Sequence, residues 1–325
     1  MRVEPVRRNV ASDVIGLLPV IVFVGVLAYI SLYAPNFLTR TNLELVLAQS
    51  LPTVLLCIGL SAVVMAGGDD VVSGGIDLSI PATAVLAGGI IAQMLGMGYP
   101  LLLCAGAALA AALAVGAINA LLVTRVRMTP LLATLTMMVA VIGINNVVTQ
   151  SRRINVRDPW IMDLASGRIL GVPTGIVIVL AVALVCFHLL HRTKWGLNLQ
   201  AVGGSRDAAE VSGLKADRLV AQSFLLASVM GFVCAFFVLA RGSGSSPGVE
   251  DNLLLEMVLA TFLGAAFSPR RVVTMWGAVI GALLVTAISV GFKTMGVNVF
   301  WTGLIKGTLI VVVVTMSTVH QRVRR

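Results

Sequence analysis

Few of the 325 residues are of types that carry chemistry. The four cysteines, Cys57, Cys104, Cys186 and Cys234, stand in apolar runs without a CxxC or metal-ligand spacing. That is the pattern of small buried hydrophobes, not of a disulfide or zinc framework. His188, His191 and His320 fall near the ends of apolar runs, and no nucleophile, base and orienting group are grouped together. No catalytic, metal or cofactor site is therefore predicted on this chain. The ionisable groups that do stand in or beside apolar runs are Asp77, Glu256 and Lys306. A charge at the bilayer centre costs about 2.5–3.5 kcal/mol on insertion scales, so each needs a partner or a task. Asp77 follows Gly74-Gly75 and precedes Ser79 and Pro81, which suits a helix start with Ser79 as N-cap and proline in the first turn. Stabilising that start is the plain task for Asp77; touching a solute is the sharper one. Lys306 has two readings, snorkelling to the interface or pairing with Glu256. Gln49, Thr134, Thr136, Asn145 and Asn146 add uncharged hydrogen-bonding groups inside apolar runs. A path for a neutral polyhydroxylated solute wants such groups and no fixed charge; interhelical hydrogen bonds of about 0.6 kcal/mol each explain them equally well.

What must position these groups is a set of membrane spans. The chain is 58% hydrophobic and 11% charged, with a mean hydropathy of +1.01, against roughly 45–50% apolar and about 25% charged in soluble globular chains. So little polar material cannot clothe a water-soluble globule, which excludes a soluble enzyme, a nucleic-acid-binding module and a disordered chain. The net charge of +9 sits in short gaps between apolar runs, where anionic headgroups and the positive-inside rule explain it. A span needs about 20 apolar residues to cross roughly 30 Å of hydrocarbon as an internally bonded helix. That ruler predicts an all-α polytopic protein of ten spans: Val14 to Tyr33, Leu45 to Ala66, Leu78 to Leu95, Leu101 to Thr124, Pro130 to Thr149, Pro173 to Leu190, Leu219 to Ala240, Leu253 to Phe267, Val272 to Phe292 and Val299 to Thr318. The first is read as a retained span, since no small-residue cleavage site follows it. The third and eighth, after residues 77 and 252, are short and follow glycine-rich polar stretches, so each is expected to be a broken or half-crossing helix.

With the N-terminus inside, fifteen of the 23 Lys and Arg residues fall on the inner side and seven on the outer, with Lys306 within a span. Both termini are predicted cytoplasmic. The segment Gln150 to Gly171 counts against this, for it holds Arg152, Arg153, Arg157 and Arg168 beside Asp158 and Asp163. Spans 2–5 and 7–10 share one order: a long helix, a glycine-rich interruption, a short helix and two long helices. The odd offset of five makes the halves point oppositely, the signature of a transporter built from inverted repeats. A single transmembrane domain, residues 1–325, carries one long inner loop, 191–218, between the halves. Within it Gly203-Gly204-Ser205-Arg206-Asp207-Ala208-Ala209-Glu210-Val211-Ser212-Gly213-Leu214 predicts a short helix, N-capped by Ser205, with Asp207 favoured by the dipole and Gly213 closing the end. Two turns are unstable alone in water and need something to pack against.

Here the residues carry a family resemblance. Lys194-Trp195-Gly196, Ala201-Val202-Gly203-Gly204 and Ala208-Ala209-x-x-Ser212-Gly213-Leu214 resemble the cytoplasmic loop of ribose-type permeases of bacterial ATP-binding-cassette importers. Gly74-Gly75-Ile76-Asp77-Leu78-Ser79, Ala133-Thr134-Leu135-Thr136-Met137-Met138 and Trp276-Gly277-Ala278-Val279-Ile280-Gly281-Ala282 resemble further motifs of that family, in the same order. The chain departs from the pattern at Gly68-Asp69-Asp70-Val71-Val72, at Ile142 and at Ala265 to Arg271. The resemblance implies an inner-membrane subunit whose loop helix docks on a separate cytoplasmic ATPase, which uses the ATP. It also implies an external (periplasmic or extracellular) solute-binding protein and a second permease copy or homologous permease. No Walker A pattern is present: Gly291-Phe292-Lys293-Thr294 lacks the upstream glycine. A monosaccharide or polyol is the expected solute. The rivals are a branched-chain amino acid, an ion-coupled secondary transporter and an intramembrane enzyme.

Overall fold

The structure is a computed structural model that describes residues 10–68, 74–268, 272–298, 301, 303–309, 311 and 315. Asp69 and Asp70, residues 269–271 and half of the tenth expected span lie outside the described residues. Twelve helices and four two-residue strands are described: α1 (Val10–Tyr33), α2 (Arg40–Gly67), α3 (Ile80–Gly96), α4 (Leu101–Thr124), α5 (Pro130–Thr149), β1 (Ile154–Asn155), α6 (Pro159–Ser166), β2 (Arg168–Ile169), β3 (Val172–Pro173), α7 (Thr174–Arg192), α8 (Lys194–Gly204), α9 (Arg206–Val211), α10 (Ala216–Gly242), β4 (Gly244–Ser245), α11 (Val249–Ala265) and α12 (Met275–Thr294). Residues 303–309 are also helical. Six of these helices, α2, α4, α5, α7, α10 and α12, are long and apolar enough to cross a membrane; α3 and residues Val20–Tyr33 are shorter apolar helices.

α2 is the axis of the bundle. α7, α8, α10, α11 and α12 all pack on it, and it is buried without a break from Ser50 to Ala66. Ser50, Thr53, Cys57, Gly59, Ser61 and Ala62 allow this, because small side chains let neighbouring backbones approach. α11 and α12 meet as closely: a Cβ on Gly277 or Gly281 would overlap the carbonyls of Gly264 and Ala260. Gly89 of α3 makes a third close approach, where a Cβ would crowd Asn145 of α5.

Helix starts explain where the expected bounds moved. α3 begins two residues later than expected because residues 75–77 have no regular structure and 78–79 form a bend. α11 begins at Val249, not Leu253: Gly248 turns at φ +86°, and Glu250 and Asp251 stand in the first turn, where the dipole favours acids. Both helices have 17 residues, roughly 26 Å, short for a full crossing.

The segment between α5 and α7 is more structured than the sequence suggested. β1 pairs antiparallel with β4, β2 pairs with β3, and α6 is capped by Asp158, whose carboxylate accepts from the backbone N–H of Trp160 and Ile161. This segment and the loop 191–218 lie at opposite ends of α2. Arg168 pairs with Glu44 near its start at 2.9 Å, whereas Gly203 packs against Met65 and Gly68 at its finish. Arg127, after α4, pairs with Asp217 at the start of α10, so the α4–α5 turn shares the loop's end.

Candidate functional site

The nine candidate path residues fall in four places. Three of them converge where α3 starts. Asp77 Oδ1 accepts from the Ser79 N–H at 2.9 Å and the Ser79 hydroxyl at 2.6 Å. Asn119 of α4 donates to Ser79 Oγ at 2.8 Å. The Thr134 hydroxyl accepts from the Leu78 N–H at 3.2 Å and donates to the Pro130 carbonyl at 2.9 Å. Asp77, Ser79, Asn119 and Thr134 are all buried. Ser79 therefore makes no side-chain cap, contrary to expectation; Asp77 binds the Ser79 N–H instead, and Pro81 stands in the first turn as the sequence suggested. The network locks the break between α2 and α3 to α4 and α5. Asn119 was missed, although a lone amide in the alanine-rich α4 is a readable signal for an interhelical bond.

Glu256 and Lys306 form a second site. Lys306 Nζ donates to Glu256 Oε1 at 2.6 Å, and Thr53 Oγ1 donates to Glu256 Oε2 at 2.8 Å. Side-chain exposures of 11% and 14% leave the pair little water to screen it. The pairing reading of Lys306 holds, and it ties the 303–309 helix to α11 and α2. Glu256 lies two turns inside α11, whereas the buried Glu250 stands in its first turn.

Gln49 lies apart, at the Glu44 end of α2, where its backbone carbonyl accepts from Arg241 at 3.3 Å. It lines a cleft of about 310 Å³ with Leu164, Phe237 and Arg241. An adjoining cleft of about 430 Å³ shares Leu45, Ala48, Ala165 and Pro173 and carries Asn42, Glu44 and Arg168. On α5 the spacing sorts the rest. Thr134 and Asn145, eleven residues or three turns apart, share the buried face. Thr136 is turned about 200° from Thr134; it is exposed and bonds to the Leu132 carbonyl of its own helix. Asn146 is half-buried at the edge of that outward face.

At the other end, α8 and α9 follow one another, broken at Ser205. The sequence suggested one helix here; Thr193, which accepts from the Gly196 N–H at 3.3 Å, starts a second, α8. Trp195 fastens α8 to α10 by donating to Gln222 at 2.8 Å. Ser205 Oγ accepts from the Ala208 N–H at 3.4 Å. At the far end the Gly213 N–H reaches the Glu210 carbonyl and the Leu214 N–H the Ala209 carbonyl, at 2.9 and 3.0 Å. With Gly213 at φ +85°, this is a Schellman termination. Ala209 alone of α9 is buried, Gly203 and Leu214 are half-buried, and Gly204, Ser205, Asp207, Ala208, Ser212 and Gly213 are exposed. Val211, which sequence reasoning passed over, is 91% exposed at the tip. Arg206 holds Asp217 and, at 3.0 Å, Glu210. Partial burial works against its charge, but the two carboxylates outweigh that and raise its pKa above the ordinary value.

Apolar helices of spanning length around buried polar networks define a multi-pass helical membrane protein. A family described as "Branched-chain amino acid transport system / permease component" matches residues 42–314. The chain belongs to that family of permeases. It is 28% identical to the ribose import permease protein RbsC of Escherichia coli K12 over 302 residues, 91% of each chain. To the ribose import permease protein RbsC of Bacillus subtilis it is 27% identical, covering 89% of this chain and 88% of that one. It is also 27% identical to the L-arabinose ABC transporter permease protein AraH of Azospirillum brasilense, over 94% of this chain and 88% of that one. No solved structure matches.

Proposed function

We propose that this chain is the membrane-spanning permease subunit of an ATP-binding-cassette importer, carrying a monosaccharide or small polyol across a bacterial inner membrane by alternating access. Similarity along nine-tenths of the chain to permeases named for ribose carries the reading. ATP is bound and hydrolysed by a separate cytoplasmic ATPase, not by this chain. A solute-binding protein delivers from outside, and a second permease completes the path. The loop end, with Arg125, Arg127, Arg192, Lys194, Arg206, Lys215 and Arg218, is the cytoplasmic end, and both termini lie there.

The chain crosses ten times as two inverted halves. Paired lengths support this: α2 and α10 have 28 and 27 residues, and α3 and α11 have 17 each. α2 finishes at the loop end and α10 starts there, so the partners run oppositely. α9 is the docking element. It is held at both caps, rests on Ala209 and leaves Ala208, Val211 and Ser212 free, so a partner's groove receives a small, preformed apolar tip. Motion of the ATPase passes through Arg206 and Asp217 into α10, and through Gly203 into α2. Of the polar groups, we read Gln49 at the outer clefts and Asn146 at the edge of α5 as those that meet solute, while Thr136, bonded to its own helix among Leu132, Leu135 and Val139, faces lipid. Asp77, Ser79, Thr134, Glu256 and Lys306 hold helices in place, whereas the buried Asn145 amide packs against Gly89 without a hydrogen-bond partner among the described residues.

The test is uptake in proteoliposomes holding this permease, its ATPase and its binding protein. Labelled ribose or a related sugar should enter with ATP inside, and a hydrolysis-dead ATPase should abolish entry. Uptake that survives the dead ATPase and collapses with an ion gradient would replace this reading by secondary transport. The family description favours a second substrate class, branched-chain amino acids. Labelled leucine in the same vesicles decides between them.

A further inference from the structure

Four arginines stand on the segment between α5 and α7, at the end assigned to the outer face, where Lys and Arg are ordinarily scarce. The structure accounts for two. Arg168 pairs with Glu44 and donates to the Gly171 carbonyl; Arg153 donates to the Gly242 carbonyl and to Asn155. The side chains of Arg152 and Arg157 are exposed and make no ion pair or hydrogen bond among the described residues.

Just after Arg157, α6 borders a groove of about 340 Å³. Ile161 lines it from α6, together with Leu101 of α4, Ile178 of α7, and Val233 and Phe236 of α10. Leu101 is the first residue of α4, and Ile178 lies roughly 6 Å down α7, so the groove sits at the depth where outer-leaflet acyl chains begin. Its apolar walls offer water no partner. Trp160, 79% exposed, stands at its rim, and Tyr99 is exposed on the neighbouring α3–α4 turn. Aromatic residues of this kind mark the bilayer interface.

We propose that this groove and the two free arginines bind a phospholipid with an anionic headgroup. One acyl chain lies beneath α6 against α4, α7 and α10, and the phosphate sits on Arg157 and Arg152, whose planar guanidinium forks suit phosphate oxygens. Charge at the headgroup and an apolar slot at chain depth occur within three residues of each other, which a lipid satisfies at once and a soluble protein surface does not. Bound there, the lipid steadies α6 and, through β1–β4, the outer end of α10. The proposal rests on α4, α7 and α10 spanning the bilayer, whatever the solute.

The test is native mass spectrometry of the full-length permease, titrated with phosphatidylglycerol or phosphatidylcholine. Phosphatidylglycerol should be retained in preference. Arg157→Gln with Arg152→Gln should weaken its retention about fivefold per arginine and leave phosphatidylcholine unchanged. Ile178→Trp, which fills the slot with the arginines intact, should also weaken it, and both variants should keep the parent's thermal unfolding midpoint in detergent without added lipid. Equal retention of the two lipids, or retention indifferent to both variants, overturns the proposal. So does a double arginine variant that keeps the lipid but loses the solute-binding protein, since the arginines would then serve that partner.

Discussion

The Glu256–Lys306 pair tests how this bundle manages charge. Both side chains are nearly enclosed, at 14% and 11% exposure. Removing one partner strands the other in a poorly solvated place, at a cost of about 3–5 kcal/mol for a buried pair. Thr53 keeps a hydrogen bond on Glu256 when Lys306 is lost, so Lys306→Met should fall near the lower figure and Glu256→Gln, which strands the ammonium, near the upper. At about 2 °C per kcal/mol for a chain of this size, the singles should lose roughly 6–10 °C of thermal midpoint. Glu256→Gln combined with Lys306→Met leaves no stranded charge. It should recover to within about 1–2 kcal/mol of the parent, because the desolvation of two ions offsets most of their attraction. Tryptophan fluorescence of the purified protein in one fixed detergent and lipid mixture reads all four midpoints. If the double variant loses the sum of the two singles, the residues act independently and the pairing contributes nothing; singles within about 0.5 kcal/mol of the parent would mean that water reaches both groups.

Other perturbations separate packing from coupling. Gly281→Val pushes side-chain atoms into the Ala260 carbonyl and should destabilise by about 1–3 kcal/mol in the same melt; an unchanged midpoint would mean that α11 and α12 are not in contact there. Gly213→Val forces a β-branched residue to φ +85°, which costs about 1–2 kcal/mol locally and spoils the end of α9. Vesicle uptake should drop about tenfold or more while the global midpoint stays put, and unaltered uptake would remove α9 from the coupling path. Asp77→Ala strips the acceptor from two Ser79 donors and should cost about 1–3 kcal/mol, whereas Asp77→Asn keeps an acceptor and should cost less; equal losses would show that charge, not hydrogen bonding, is what Asp77 supplies. Asp217→Ala frees Arg127 and Arg206 at an exposed site and should shift stability by under about 1 kcal/mol while slowing ATP-driven uptake.

The order of elements was legible wherever a helix announces itself locally. α4 and α5 have the expected bounds, because Pro100 and Pro130 mark their starts and Arg125 and Gln150 their ends. The buried ion pair was legible for a related reason: charges within spans are few, so each has few possible partners. β1 was not, for it pairs with β4 about ninety residues away, and nothing within two residues of strand foretells that. Harder still was which side of each span faces protein. α2 and α5 have the same mean hydropathy of 2.0, yet the spanning window of α2 is 94% buried and that of α5 is 22% buried. In water those values would separate a core helix from a surface one, but lipid is as apolar as leucine, so apolarity does not choose between them. What differs is side-chain size and polarity. α2 carries Ser50, Thr53, Cys57, Gly59 and Ser61 along its middle, while the outward face of α5 carries Leu132, Leu135, Val139, Ile144 and Val147. Thr136 on that face sits among residues suited to lipid, and a hydroxyl already bonded to its own backbone costs little there. A path assembled from polar residues by type alone therefore mixes groups that lock helices with groups that face outward, and only burial and hydrogen-bond partners separate the two.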